Sequence, residues 1–406
     1  MRLIIFAIRN IGRNKRRSAA ILSLVALGSA ALLVAGGYAA ANFSGLRERT
    51  IRNGVGHLQI SARGPTEDDD APLAEALEHV DVLRGRILQD PRVLAAAARL
   101  EFTGLASTGD QSVAVIGRGV EPDEEYGRAG FAPRMVEGRR VENGDRHETM
   151  AAAGLARSLK LKPGDRLTLM SATVDGAING LDTTIVGIYT TGIRELDERS
   201  LVVRLDTAQT LLATSRVSRI VIVLHRTEDT AAVGAALTNV LGAGTTAPRI
   251  RTWSDLATFY HQVRGLFSGI FSFLGVIITV LVVLSAGNAM TMTVMERGRE
   301  IGTLMAVGTS RLRIMAMFVV EGLTLGTLGG FLGLTAGYAL ATGLTRAGIQ
   351  MPPPPTFTTG FPLQIAVVPA LYASVLVVMI VTLGAAAVLP AARAARLRIT
   401  DALGHV

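Results

Sequence analysis

Hydrophobic positions fall along this chain in two regimes. Residues 19 to 41 (AAILSLVALGSAALLVAGGYAAA) run without a charge, long enough at 1.5 Å per residue to cross a hydrocarbon core of roughly 30 Å. Similar stretches lie near Leu266 to Thr293, Ile314 to Thr345 and Leu363 to Leu389, each interrupted at most by one Glu or by Gly. The pattern predicts an integral membrane chain of four transmembrane α-helices, at 19–42, 265–294, 313–345 and 363–390. Residues 43–264 follow another rhythm, short alternating runs between turn residues, and predict a large α+β domain between the first and second spans.

Within that domain VGHLQISA (Val55 to Ala62) alternates as a strand does, and a polar, acidic loop follows at Pro65 to Pro72. A helical pattern covers Leu73 to Gln89, and strands are expected at Arg99 to Thr108 and Ser112 to Val120. In GLARSLKLKPGDRLTLM a short helix gives way to the turn Lys162-Pro163-Gly164-Asp165 and then to a strand; adjacent Pro and Gly supply the backbone angles of the turn. TTIVGIYT and ERSLVVRL are further strands, and Asp206 is positioned as the N-cap of a helix through Leu212. SRIVIVLH, a helix from Asp229 to Leu241 and PRIRTW form a β-α-β pattern. From Ser254 a helix is expected to run straight into the second span.

Composition agrees with membrane residence: 49% of the 406 residues are hydrophobic and 18% charged, with mean hydropathy +0.39, against roughly 25% charged in soluble domains. The net charge of +8 is concentrated at the ends of the spans. Arg2, Arg9, Arg13, Lys15, Arg16 and Arg17 precede the first span without an acid. Arg297, Arg299, Arg311 and Arg313 lie between spans two and three, and Arg393, Arg396 and Arg398 lie in the tail. The loop between spans three and four has Arg346 alone. Short basic loops stay in the cytoplasm, so both termini are expected there, including the tail 391–406, and the large domain outside. The +8 is then a topology signal rather than a nucleic-acid patch. Residues 1–18 mix apolar positions with Arg as an amphipathic helix on the inner membrane surface does. Ala39 and Ala41 make an A-x-A pattern, but the apolar run exceeds the roughly 7–15 residues of a signal core, which favours an uncleaved anchor. With no cysteine there are no disulfides.

Catalytic signatures are missing. None of the three lysines, Lys15, Lys160 and Lys162, follows a glycine, so there is no Walker A phosphate loop and this chain alone is not a P-loop ATPase. His147-Glu148 lacks the second His of a zincin, and no G-x-S-x-G elbow occurs. No metal or cofactor site of the chain's own is expected, and Asp197 and Glu198 read as solvated loop charges.

The membrane half carries other signals. Gly322, Gly326 and Gly330 recur every four residues on the third span, and Gly329, Gly333 and Gly337 form a second series; this spacing lets helix backbones approach closely. Glu321 lies in the same apolar stretch, where an ionisable group is costly and faces protein or water. MPPPP (Met351 to Pro355), in the loop 346–362, is expected to be stiff and extended. Between spans two and three, MERGREIGTLMAVG places Ile301, Leu304, Met305 and, two turns on, Leu312 along one helical face. Glu296 with Arg299 and Arg297 with Glu300 are spaced to pair at i,i+3. A short amphipathic helix at 295–312 is expected, serving either as a simple return of the chain or as a contact surface.

MERGREIGTLMAVGTSRLRIMAMFVVEG resembles the E-R-x-x-E-I-G-x-L-x-A-x-G segment of MacB/FtsX-type (type VII) ABC transporter permeases. GHLQI, LARSLKLKPGDRLTL and PAARAARLRITDAL are similar to the same family, so the resemblance covers most of the chain. The layout is similar to the lipoprotein-releasing LolC/LolE permeases and to MacB, rather than to cell-division FtsX with its much smaller outer domain. The resemblance implies a multi-pass protein of the bacterial inner membrane with a periplasmic domain. It also implies a coupling helix contacting a cytoplasmic ABC ATPase through Glu296, Arg297, Glu300, Ile301, Gly302, Leu304, Val307 and Gly308. Since no nucleotide-binding domain is present, a partner chain would bind ATP and Mg, and a second permease copy or paralogue would match two ATPases. A lipoprotein, lipid, peptide or drug-like cargo would be extruded or passed to a periplasmic acceptor protein by mechanotransmission. The alternatives are an FtsX-like signalling module that activates a periplasmic hydrolase, and a membrane-anchored enzyme.

Overall fold

The computed structural model describes residues 9, 12–13, 15–63, 72–131, 133–144, 147–242, 247–352 and 360–396. Most of the segment 1–18, the acidic loop, most of MPPPP and the tail from 397 lie outside the described residues. The chain divides into two compact units, one of residues 1–45, 262–351 and 362–406 and the other of 46–261 and 352–361.

Helix α1 (Lys15–Thr50) continues two turns past the expected end of its span at 42, because Leu46 to Arg49 are good helix formers. A π-turn at Ile51–Val55 follows, and Gly54 (φ 111°) and Gly56 (φ 71°) then adopt angles that only glycine reaches without strain. In the large domain β1 (Leu58–Ser61) lies between β9 (Arg219–Leu224) and β10 (Arg249–Thr252), antiparallel to both. These two strands are therefore parallel to each other, joined by α5 (Thr230–Leu241). That is the expected β-α-β unit, split by β1. On the far side of β9 runs β2 (Val93–Ser107). α2 (Val80–Ile87) belongs to the same layer, whose core includes Leu58, Ile60, Ile87, Ile220, Ile222 and Val233.

The second half of β2 enters a different structure. It pairs with β3 (Ser112–Val120), which pairs with β8 (Ser200–Arg204); the path continues through β5 (Glu148–Ala152), β7 (Ile178–Thr190) and β6 (Arg166–Ala172) and returns to β2. Six strands thus close into a ring, with β4 (Arg134–Gly138) outside on β7. Alternation fills the ring: Leu167 and Leu169 of β6, Leu201 and Val203 of β8, and Ile185 of β7 point inward. Leu155 of α3 (Ala153–Leu159) and Leu211 of α4 (Leu205–Leu212) complete that core.

Four expectations are corrected. The helix expected over Leu73 to Gln89 is a 3-10 turn at Leu73–Glu75 followed by α2, because Leu77 pairs with Val217 as an isolated bridge and pulls the chain extended. Strand β2 begins at Val93 rather than Arg99. Asp206 is not the N-cap of α4; Arg204 occupies that position, and the Asp206 carboxylate accepts from the Arg204 guanidinium at 2.7 Å and from the Thr207 amide at 2.8 Å. The helix from Ser254 is one turn, Trp253–Leu256, capped by Thr252 and Asp255, and Ala257 interrupts it before the second span begins.

Helices α6 (Thr258–Glu296), α7 (Gly298–Ala306), α8 (Arg311–Arg346) and α9 (Pro369–Ala395) complete the first unit. Helices α1, α6, α8 and α9 contain the four candidate membrane spans. They meet in a core that includes Val25, Leu33, Val282, Leu325, Met379 and Leu383. The two glycine series of α8 serve two neighbours. A Cβ at Gly326 would sit 3.0 Å from the Met379 carbonyl oxygen and one at Gly330 2.7 Å from the Leu376 side chain, both on α9. At Gly333 it would sit 2.3 Å from the Ser29 Cβ, and at Gly337 2.9 Å from Leu33, both on α1. Gly322 faces Leu383 and Ala387 of α9 in the same way.

Candidate functional site

The charged segment between the second and third spans folds as α7 and its two flanking turns. Arg297 leaves helical geometry (φ −101°, ψ 14°), which ends α6 and lets α7 start in a new direction at Gly298. At the other end Gly308 takes φ 93°, and its amide donates to the Met305 carbonyl at 3.0 Å while that of Thr309 donates to Leu304. This glycine close is a common helix ending.

One face of α7 is fixed. Ile301 is buried with Val294, Ile314, Phe318, Ala391 and Ala394, and Gly302 beside it is also buried. The other face is open: Leu304 is 36% exposed and Val307 82%. Leu312 does not share the Ile301 face; it lies on α8, 71% exposed.

The charges find partners different from those their spacing suggested. The Glu296 carboxylate accepts a two-pronged pair from Arg17, at 2.8 and 2.9 Å, and Arg17 also donates to the Thr293 hydroxyl. Arg299 is therefore not its fork partner. Glu300 accepts from Arg13 at 2.7 and 2.9 Å and lies 4.0 Å from Arg297, the one expected i,i+3 pair that approaches. Arg297, with 8% of its side chain exposed, reaches within 3.9 Å of Glu321 on α8. Burial draws the Arg297 pKa down while the Glu321 carboxylate opposes that shift, and the guanidinium stays charged. Charges therefore run Arg13, Glu300, Arg297, Glu321 from the exposed rim into the packed interior. Arg13, Arg17 and Thr293 are the members that spacing missed: the basic run before the first span carries a topology signal, and nothing local in the sequence says which distant acids it meets. Among the described residues, no group of three or more His, Asp or Glu side chains is arranged to hold a metal.

Against known proteins, residues 18–240 match the MacB-like periplasmic core domain, and residues 271–399 match the FtsX-like permease C-terminal region. The first match spans more than half of the chain, which therefore belongs to the MacB/FtsX-type family of ABC transporter permeases. The lipoprotein-releasing system transmembrane protein LolC of Xylella fastidiosa is 23% identical over 373 residues, covering 86% of each chain. An uncharacterized ABC transporter permease of Methanocaldococcus jannaschii is 26% identical over 224 residues, 54% of this chain and 53% of that protein; the match thus spans about half the length of that relative. The periplasmic region of MacB from Actinobacillus actinomycetemcomitans aligns over 52% of this chain and 95% of that one, at 10% identity and TM-score 0.36, a likeness too loose to add to the family matches. A membrane-resident transport component with a large domain between its first two spans is the class these matches define.

Proposed function

We propose that the chain is the permease subunit of an ABC transporter whose separate ATPase subunit docks on α7 and drives movement of the large domain. That movement extrudes or releases a lipoprotein, lipid, peptide or drug-like cargo by mechanotransmission. The observation that carries the reading is the open edge of α7. Leu304 and Val307 are uncovered beside side chains already tied down by ion pairs, so the segment offers apolar contact on a positioned support. In this reading both termini and α7 are cytoplasmic, the membrane is the bacterial inner membrane, and the large domain is periplasmic. ATP and Mg belong to the ATPase partner. Two permease chains, identical or paralogous, match two ATPases, and a periplasmic protein accepts the cargo.

The test is co-purification of the full chain with its ATPase. Val307→Asp changes a side chain that is 82% exposed, so it should leave the permease folded and weaken ATPase capture about tenfold, the effect of roughly 1.4 kcal/mol at an interface. Glu300→Arg should uncouple ATP hydrolysis from transport while membrane insertion persists. Because Glu300 also holds Arg13, the swap Arg13→Glu with Glu300→Arg separates two roles. Restored coupling in the double variant assigns the loss to the internal pair, and persistent uncoupling assigns it to the ATPase contact. Full ATPase capture by Val307→Asp would remove α7 as the docking element.

A further inference from the structure

A cavity of about 620 Å³ lies in the large domain, within the roughly 300–1,000 Å³ range of small-molecule sites. It forms on the outside of the six-stranded ring. Val115 of β3 and Leu201 and Val203 of β8 point into the ring core, so alternation turns Ile116, Arg118, Ser200 and Val202 outward, and all four line the cavity.

Its walls divide by chemistry. Ile116, Phe131, Ile193, Leu196 and Val202 give an apolar wall, and Ile116 and Leu196 are 45% and 41% exposed there. Arg49 at the end of α1, Arg52 of the π-turn after it, Arg118 of β3 and Arg134 of β4 bring four guanidinium groups to the same space, of which Arg52 is paired with Glu48 at 2.7 Å. Two acids line it, and both are already engaged. Glu125 accepts from buried Arg99 at 2.7 and 3.0 Å. Glu101 lies 3.0 Å from Arg219 and 3.8 Å from Arg118. Because Glu101 and Glu125 are held chiefly by Arg219 and Arg99, which do not line the cavity, Arg118 and Arg134 leave it with surplus positive charge. The Tyr126 hydroxyl, also on the lining, is buried without a hydrogen-bond partner among the described residues. Burial raises its pKa, so it remains a donor.

We propose that this cavity binds an amphiphile with one carboxylate or phosphate head, the head on the arginine rim and the Tyr126 hydroxyl, the apolar body along the Ile116–Phe131–Val202 wall. A bare inorganic anion would leave that wall wet, and a neutral lipid would bring no charge to balance that surplus. The proposal does not rest on ATPase docking, since binding is measured without ATPase or ATP.

The experiment uses the full-length chain in detergent and three photoactivatable probes of matched chain length: a diazirine palmitic acid, a diazirine lysophosphatidic acid and a diazirine hexadecanol. Peptide mapping after photolysis should show one or both acidic probes on segments 116–134 and 189–202, several-fold above the alcohol. Which acidic probe labels distinguishes a fatty acid from a phospholipid source. Arg134→Glu reverses one charge of the rim, and Ile193→Trp fills the cavity; each should lower that labelling several-fold while unfolding at the parent temperature. If one of them unfolds early, the other still decides. Equal labelling by the alcohol, labelling confined to the membrane spans, or labelling indifferent to the folded variants would overturn the proposal.

Discussion

Arg99 shows how much one side chain holds in the large domain. It is 1% exposed, lies 4.6 Å from the Phe131 ring centre, donates twice to Glu125 and donates to the Gly54 carbonyl just beyond α1. Burial lowers its pKa and the Glu125 carboxylate opposes that. Removing one partner of such a pair strands a buried charge at a cost of about 3–5 kcal/mol, whereas replacing both by apolar groups of similar volume is often neutral. Arg99→Ala should therefore lose about that much stability, and Arg99→Met combined with Glu125→Leu should recover most of it. The chain's single tryptophan, Trp253, lies in this domain, so its fluorescence during denaturant unfolding reads the change directly. Equal losses in the single and double variants would argue against the ion pair as the cause. His57 gives a pH dependence at the same scale. Its Nδ1 accepts from the Leu224 amide at 3.1 Å, which puts the proton on Nε2, facing the Thr227 hydroxyl at 3.1 Å. Burial chiefly lowers its pKa from 6.5; Arg47 and Arg52 add to the shift, while Glu48 and Glu228 oppose it. Below about 6.5 the unfolded chain then binds more protons than the folded one. The contribution is full above that pH and fades as pH falls through the depressed folded value. Stability by the Trp253 signal should drop from pH 7 to pH 5, and His57→Gln should flatten the drop; an unchanged slope in the variant would exclude His57 as its source.

At the scale of elements, α8 is defined by its glycines. Adding a methyl at Gly333 or Gly326 forces α1 or α9 away, an overpacking that costs about 1–3 kcal/mol, while Gly343 has nothing within 4 Å of a built Cβ. Gly333→Ala and Gly326→Ala should lower the thermal unfolding temperature in detergent, and Gly343→Ala should be neutral or slightly stabilising through helix propensity. A loss at Gly343 equal to that at Gly333 would mean that close backbone packing is not what the glycines of α8 supply. The four-residue spacing of these glycines was legible in the sequence, but which helix each series serves was not, because α1 and α9 are remote along the chain. Strand β2 shows the reverse failure. Ala95 to Ala98 read locally as helix formers, yet they are fully buried in a strand covered on both faces, Ala96 and Ala98 by the layer around Ile222 and Ala95 and Ala97 by Phe131 and Val221. Tertiary cover overrides propensity there, and short runs without alternation carry no periodicity to reveal it. In α7 the amphipathic period put Ile301 and Leu304 on one face, and the structure buries Ile301 while leaving Leu304 at the open edge. The same period misplaced Leu312, because the Gly308 turn intervenes.

At the scale of the molecule, hydropathy alone located all four candidate spans, since length and apolarity are properties of single segments. The ring closure of the large domain was not legible, because β6 meets β2 across about 60 residues of chain and pairing registers leave no local mark. How spans associate between chains is likewise unmarked by hydropathy, since lipid satisfies an apolar face as well as protein does. The two-chain assembly in the proposed function needs a surface where backbones can approach, and α6 offers one. In the apolar core of that span 6% is buried, against 50% for α9. Gly265 and Gly269 have open space where a Cβ would stand, and Ser272, three residues further on, shares their face at helical spacing. Leu281, nine residues beyond Ser272, lies on the opposite face and is 54% exposed. Because the chain has no cysteine, single replacements report without background. Ser272→Cys should give a disulfide-linked pair on oxidation in native membranes, and Leu281→Cys should not. Pairing through Leu281→Cys alone would move the contact to the other side of α6, and no pairing at either position would exclude a homodimer on this helix and leave a paralogous partner as the second permease chain.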